Sequence, residues 1–143
     1  MTRIHWLAVA SLLVTLTITA PLRAEVTAEQ VKAAIEKGVA YLKAKQTPKS
    51  GDWGEADLHP TGVTSLCSLA LLNSGIPPND PSILAALRYI QKHPRPNSIY
   101  SASLQVMVFA TVDPVKYRVQ IGELASWIES RQISKGEIGR AHV

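Results

Sequence analysis

Five helical segments with two alternating kinds of surface constrain this fold most. The segments that begin near Thr27, Pro81 and Asp113 carry apolar residues three or four positions apart, which places one apolar stripe on each helix. The segments 61–72 and 98–112 lie between them and contain no charged residue. A striped helix belongs at the outside of a domain, whereas a uniformly apolar helix must be covered on most sides. The sequence therefore predicts an all-α fold of helical hairpins in an outer and an inner layer.

The prediction of an inner layer depends on the two uncharged segments. We expect Leu66 and Met107, which lie within these segments, to be covered by neighbouring helices. For residues 106–112 taken alone, a buried β-strand is the alternative, because a short apolar run has no distinctive helical period.

Capping residues mark where three of the helices begin. Gln30 follows Thr27 by three positions, which is the spacing of a capping box. Asp80 and Asp113 each precede a proline, and an N-cap carboxylate before a first-turn proline is a typical helix start. We therefore expect the third and fifth helices to begin directly after these two aspartates.

The N-terminal residues 1–24 have the pattern of a signal peptide. Arg3 supplies a positive charge, residues 4–18 are apolar and almost uncharged, and Ala24 offers a small residue for cleavage. We expect export to the periplasm or the extracellular space, with residues 25–137 as the folded segment. An uncleaved N-terminal anchor is the alternative, and only in that case do we expect contact with a membrane.

The two ends of the chain carry most of its excess positive charge. Residues 138–143 resemble the translation of a short-read sequencing adapter, so we expect them to be foreign to the natural chain; a natural polar tail is the alternative. Without Arg3, Arg23 and Arg140, residues 25–137 hold twelve basic and eleven acidic side chains. A nearly neutral segment without a run of basic residues predicts no nucleic-acid partner.

A weak internal repeat accompanies the alternation of helices. Residues 41–46 contain an aromatic–aliphatic pair followed by a glutamine, and residues 127–132 repeat this pattern 86 positions later. A related pair at 89–90 lies between them. The average period of about 43 residues is typical of helical repeat proteins.

Residues 37–53 resemble the QW motif of the terpenoid cyclase and protein prenyltransferase superfamily, in which squalene cyclases carry several copies. The motif residues are Tyr41, Leu42, Gln46, Gly51 and Trp53. The resemblance covers most of residues 26–136. Its second copy is degenerate, since residues 93–94 replace the glutamine region, and in its third copy Ile138 stands at the tryptophan position.

This resemblance implies an α/α toroid, a ring of helical hairpins in inner and outer layers. The chain would form an incomplete arc of five helices at the N-terminal end of a secreted bacterial-type member. In the family, the glutamine at the end of an outer helix stacks on the tryptophan and ties neighbouring hairpins together. The resemblance therefore implies structural roles for Gln46, Gly51 and Trp53; a ligand-facing Trp53 is the alternative.

The family's catalytic groups are missing from this sequence. Squalene-type cyclases use an Asp-x-Asp-Asp motif as the acid, whereas Asp52, Asp57, Asp80 and Asp113 are scattered. Prenyltransferases hold zinc with Asp, Cys and His, but Cys67 lies in an uncharged segment, where a buried thiol is typical. We therefore predict no catalytic residue, no cofactor and no metal ion in this chain.

One polar loop offers a different candidate site. Glu55, Asp57 and His59 fall within five residues of one another. Their oxygen and imidazole groups could bind a metal ion or act as acid and base. A solvated polar loop without a function is the alternative.

Three functions fit the sequence. The first is an exported ring that holds an apolar small molecule or a peptide at its centre, as a binding or scaffold protein. The second is a cyclase-like or prenyltransferase-like enzyme whose catalytic residues lie in a missing C-terminal part. The third is a generic helical-repeat module for protein partners. Export favours the first function, because isoprenyl diphosphates are made and used mostly inside cells. A resemblance in fold alone does not decide between the three functions.

Overall fold

A computed structural model describes residues 26–54, 60–94 and 96–132 of the chain. Within these residues all regular secondary structure is helical, which confirms the all-α prediction. The described chain divides within the first helix, between Val31 and Lys32, into two units. The helices are α1 (Ala28–Lys45), α2 (Gly62–Asn73), α3 (Pro81–Lys92), α4 (Ile99–Val112) and α5 (Arg118–Ser130).

Two predicted helix starts are confirmed. At the start of α1, the Gln30 N–H donates to Thr27 Oγ1 over 3.2 Å, and the Thr27 N–H donates to Gln30 Oε1 over 3.0 Å. At the start of α3, Asp80 Oδ1 accepts a hydrogen bond from the Ser82 N–H over 2.9 Å, and Pro81 occupies the first turn. Each cap satisfies an N–H group that has no partner within its helix.

The second uncharged segment folds as the helix α4. Ser98 is its N-cap, and the Ser98 hydroxyl oxygen accepts a hydrogen bond from the Ser101 N–H over 3.2 Å. The strand alternative for residues 106–112 is therefore wrong. The cap supplies the helical start that the apolar run itself does not indicate.

The core lies between α2, α3, α4 and α5. Helix α2 packs against α3 and α4, and α4 packs against α5. The striped helix α3 buries one face, as predicted, while Arg88 and Lys92 are exposed. The core contains the buried side chains Leu69, Leu71, Ile83, Leu87, Ile90, Ala102, Val108, Phe109, Tyr117 and Leu124.

The uncharged helices are covered less completely than the sequence predicts. Leu66 on α2 is 50% exposed and Met107 on α4 is 54% exposed. The prediction that both are covered by neighbouring helices is wrong. Neighbouring helices bury part of α2 and part of α4, and each helix keeps an apolar side outside these contacts.

Helix α1 contributes little to the core. It has no buried residue, and Ile35 on its predicted apolar stripe is 45% exposed. Val39 and Leu42 in its second half are partly buried and pack against the core. The second half of α1 therefore packs against the core of the second unit.

Helix α5 begins later than predicted. The chain after Asp113 forms a turn, in which Asp113 Oδ1 accepts a hydrogen bond from the Val115 N–H over 3.1 Å. Val115 is consequently 84% exposed, and α5 starts at Arg118. Tyr117 follows the turn and stacks on Phe109 with ring centroids 4.8 Å apart, so the residue before α5 belongs to the core.

Some sequence-based predictions concern residues outside the described ranges. These are the signal peptide at 1–24, the tail at 138–143 and the loop cluster of Glu55, Asp57 and His59. In the part of the chain that the structure describes, no helix combines the length and apolar character needed to cross a membrane.

Candidate functional site

Four of the five predicted motif residues lie where the end of α1 meets the start of α3. The fifth, Tyr41, is 62% exposed, and Lys45 Nζ lies 5.7 Å from the centre of its ring. We name the meeting point the α1–α3 junction. It consists of Leu42, Lys43, Gln46, Gly51, Trp53, Asp80, Ser82 and Ala85.

The side-chain amide of Gln46 connects three parts of the chain. Gln46 directly follows α1, and its Nε2 donates to the carbonyl oxygens of Gly51 and Ser82, both over 2.9 Å. The Gly51 carbonyl belongs to the loop after α1, and the Ser82 carbonyl belongs to the first turn of α3. Both amide hydrogens are used, and each such bond contributes about 1 kcal/mol to stability.

Gly51 brings the loop into direct contact with α3. Its φ of 85° lies in the left-handed region that side chains disfavour. A Cβ at this position would lie only 2.6 Å from the Ala85 carbonyl oxygen. Glycine is therefore required both by the backbone conformation and by the close approach to α3.

The indole N–H of Trp53 donates a hydrogen bond to a carbonyl group at the end of α1. Its Nε1–H donates to the Leu42 carbonyl oxygen over 2.7 Å. Leu42 is one of the last four residues of α1, whose carbonyl groups have no partner within the helix. The ring is also partly buried against the core. The polar atom of Trp53 thus already has a partner within the chain.

An ion pair at the junction was missed by the sequence analysis. Lys43 Nζ donates to Asp80 Oδ2 over 2.7 Å, and the two side chains are 35% and 15% exposed. The hydrogen bond and positive charge of Lys43, together with the Ser82 N–H, hold the pKa of Asp80 below its ordinary value. Asp80 therefore caps α3 and also binds the end of α1. The cap could be predicted from the residues next to Asp80, whereas Lys43 lies 37 positions from Asp80 in the sequence.

The loop that carries Gly51 is organised by Asp52. Its Oδ1 accepts hydrogen bonds from Thr47 Oγ1 over 3.2 Å and from the Gly54 N–H over 2.8 Å. The Ser50 side chain and these two donors lower the pKa of Asp52, because hydrogen bonds favour the charged carboxylate. The carboxylate therefore stabilises the loop conformation.

A second polar group, also missed, lies in the core around α2 and α4. Gln105 on α4 is 1% exposed, and its Nε2 donates to Thr61 Oγ1 over 2.7 Å. A long amide in an otherwise uncharged segment was the available signal, because a buried amide requires a partner. The buried polar residues are Thr61, Thr64, Ser65, Ser68, Ser101 and Gln105.

The neighbours of Gln105 fix the orientation of its amide. The Thr61 hydroxyl donates to the Pro60 carbonyl oxygen, so Thr61 Oγ1 can only accept from Gln105. The His93 carbonyl oxygen, also an acceptor, lies 3.4 Å from the same Nε2. Gln105 Oε1 is then buried without a hydrogen-bond partner among the described residues, which costs about 1–3 kcal/mol.

The chemistry of these groups is that of structural contacts. Within residues 26–54, 60–94 and 96–132, no three His, Cys, Asp or Glu side chains come together where they could hold a metal ion. Asp52, Asp80 and Asp113 are each engaged by hydrogen bonds of the chain. Cys67 is half-buried on α2.

Comparisons of the chain with protein-family models, with curated proteins and with solved structures find no match. The family resemblance therefore stays a prediction based on residues 37–53. The described residues establish five helices and a hydrogen-bonded α1–α3 junction.

Proposed function

We propose that this chain belongs to an exported α/α-toroid protein that resembles the terpenoid cyclases and protein prenyltransferases. In this proposal it holds an apolar small molecule at the ring centre and does not convert it. The observation that carries the proposal is the hydrogen bond from Gln46 to the Ser82 carbonyl oxygen. It joins two successive striped helices, which is the role the family resemblance implies for the motif glutamine.

The packing of the other helices supports the same arrangement. The two uncharged helices α2 and α4 pack against each other, and the striped helix α3 packs on α2. An array of hairpins brings inner helices together in this way, and its core is buried between neighbouring repeats. Continuation of this pattern would extend the arc of hairpins.

The exposed sides of α2 and α4 supply the surface for the ligand. Leu66 and Met107 are large apolar side chains that remain half exposed. At the centre of a ring, such side chains favour an apolar ligand, because burial of apolar surface contributes about 25 cal/mol per Å².

Binding is tested with farnesol as an apolar probe. The protein is that recovered after expression of the full chain, and affinity is measured by titration calorimetry. We expect Leu66→Ser and Met107→Ser each to weaken binding about tenfold, since each removes apolar contact area. Val115→Ser is the control, because Val115 is 84% exposed but lies outside α2 and α4. An equal loss for all three variants would contradict the proposed surface.

Catalysis and export are tested separately. The enzyme alternative places its catalytic residues in a missing C-terminal part, so the gene sequence that follows residue 137 tests it. An Asp-x-Asp-Asp motif or an Asp, Cys and His zinc set encoded there would support the enzyme and contradict the proposal of binding without conversion. For export, N-terminal sequencing of periplasmic protein should begin at Glu25, and retention of residues 1–24 would contradict the signal peptide.

A further inference from the structure

The two helices of the proposed ligand surface contain no charge. Residues 60–79 and 96–112, which include α2 and α4, hold no acidic residue, no basic residue and no histidine. The next charged residues along the chain are engaged, since Asp80 pairs with Lys43 and Asp113 accepts a hydrogen bond in its turn. A phosphate, carboxylate or ammonium group on α2 or α4 would lose water without gaining a counter-ion from these helices. Their composition therefore favours an uncharged ligand.

The exposed side of α2 is mainly apolar. Its exposed residues are Leu66, Ala70 and Asn73. The Asn73 Nδ2 group donates to the Leu69 carbonyl oxygen over 2.8 Å, so this amide is bonded to its own helix. Leu66 and Ala70 lie four positions apart and therefore share one face of α2. This side of the surface can contact a hydrocarbon chain.

The exposed side of α4 presents two polar side chains. Its exposed residues are Ile99, Tyr100, Met107, Ala110 and Thr111. The Thr111 hydroxyl donates to the Met107 carbonyl oxygen over 2.8 Å, so its hydrogen is used within α4. Tyr100 is 49% exposed, and a phenol hydroxyl can both donate and accept a hydrogen bond. Of these two groups, the Tyr100 hydroxyl is the one placed to bond a ligand.

Tyr100 and Met107 lie on the same face of α4. They are seven positions apart, which is close to two turns of an α-helix and a rise of about 10 Å along its axis. Both side chains are about half exposed. An apolar chain that begins at the Tyr100 hydroxyl and follows α4 would therefore contact Met107. Helix α2 packs against α4 and adds its own apolar side to the surface.

We propose that the ligand of this surface is a neutral alcohol with an apolar chain, and that Tyr100 selects it by bonding its hydroxyl group. The chain of the alcohol lies along α4 and contacts Met107. This inference rests on the proposed function, because it uses the same surface, and it names the chemical class of the ligand. An apolar surface discriminates weakly between an alcohol and a hydrocarbon, whereas a side chain that bonds the hydroxyl group favours the alcohol.

Three probes with the same carbon chain test the class of ligand. Radiolabelled farnesol is bound to the protein recovered from expression of the full chain and is displaced by farnesol, farnesene or farnesyl monophosphate. We expect farnesene to compete about fivefold more weakly than farnesol, because it lacks one hydrogen bond. Farnesyl monophosphate should compete at least tenfold more weakly, because the surface has no cation. Equal competition by either farnesene or the monophosphate would overturn the proposal.

Two tyrosine variants locate the hydrogen bond. Tyr100→Phe should weaken farnesol binding about fivefold and leave farnesene binding unchanged, since only farnesol uses the phenol hydroxyl. A merely structural role of Tyr100 would instead alter the binding of both probes. Tyr41→Phe is the matched control, because Tyr41 is 62% exposed but lies on α1. An equal loss of farnesol binding in both variants would overturn the assignment.

Nuclear magnetic resonance tests the contact in the unaltered protein. The chain contains four tyrosines, so selective labelling of tyrosine gives few signals, and Tyr100→Phe identifies the signal of Tyr100. Addition of farnesol should shift the ring signals of Tyr100 and leave those of Tyr41 in place. Shifts confined to the other tyrosines would place the alcohol elsewhere and overturn the proposal.

Failure of the proposed function gives a different result from failure of this inference. If the unaltered protein does not bind farnesol, or if Leu66→Ser and Met107→Ser bind it as tightly as the unaltered protein, the proposed surface is wrong and this inference is wrong with it. If both variants weaken binding but Tyr100→Phe does not, the surface is supported and only the selection of an alcohol by Tyr100 is refuted.

Discussion

Replacement of Gly51 by alanine should separate the loop after α1 from α3. Gly51 has a φ of 85°, and a methyl group there would lie 2.6 Å from the carbonyl oxygen and 2.7 Å from the carbonyl carbon of Ala85. These atoms belong to the helix backbone, so they cannot rotate away as a side chain could. Either α3 or the loop must move.

The expected loss combines conformation and packing. The left-handed conformation costs alanine about 1 kcal/mol, and overpacking against a helix costs about 1–3 kcal/mol. Movement of the loop also weakens the two hydrogen bonds of Gln46, one of which ends on the Gly51 carbonyl itself. We therefore expect Gly51→Ala to lower the free energy of unfolding by about 3 kcal/mol.

The measurement is urea unfolding of the full chain, followed by far-ultraviolet circular dichroism. Gly54→Ala is the matched control, because Gly54 has a φ of 77° but no atom lies within 4 Å of the added methyl position in the described structure. It should lose only the conformational part, about 1 kcal/mol. Equal losses in the two variants would refute the reasoning that the contact with Ala85 holds the loop on α3.

Three further variants test the other contacts of the junction by the same unfolding measurement. The hydrogen bond from Lys43 lowers the pKa of Asp80 in the folded protein below its ordinary value of 3.8. The Asp80 carboxylate therefore stabilises the fold above about pH 4. This contribution to stability is lost as the pH falls through the lowered pKa. Asp80→Asn keeps the cap and should reduce the loss of stability between about pH 6 and pH 3; an unchanged acid dependence would contradict this. Trp53→Phe should cost about 1 kcal/mol, because the bond to the Leu42 carbonyl disappears. Gln46→Leu should cost about 2 kcal/mol, and a loss near zero would mean that its two hydrogen bonds do not stabilise the junction.

The helices were predictable because their signals are local. The capping box at Thr27 and the Asp80 cap depend on residues within three positions of each other, so the sequence contains the whole contact. The start of α5 was not predictable in this way. Asp113 is followed by a proline, as Asp80 is, but its Oδ1 accepts hydrogen bonds from the Val115 and Lys116 N–H groups within a turn. The shared Asp-Pro pair therefore does not by itself determine where a helix begins.

The junction was predictable in part. The resemblance to a known motif singled out Gln46, Gly51 and Trp53 and implied a tie between hairpins, but it could not identify the acceptor atoms. The Gln46 amide reaches Ser82, 36 positions away, and Lys43 reaches Asp80. Such contacts depend on how the loop after α1 folds back onto α3. The spacing of apolar residues in the sequence does not indicate this.

The burial of α2 and α4 shows a limit of arguments from hydropathy. A uniformly apolar helix indicates that water is disfavoured on every side, but it does not say which neighbour excludes the water. Leu66 and Met107 remain half exposed because the described helices cover other sides of α2 and α4. The apolar pattern therefore predicts a partner surface as readily as a core.

Gln105 carries the opposite information, because it is a polar residue that interrupts an apolar pattern. Its bond to Thr61 joins residues 44 positions apart, so the sequence could not name the partner. It could still indicate that a partner exists, since an unpaired buried amide is unfavourable. The amide has more hydrogen-bonding capacity than Thr61 uses, since its oxygen is buried without a hydrogen-bond partner among the described residues. A residue that costs stability in an apolar helix thus connects α4 to the start of α2.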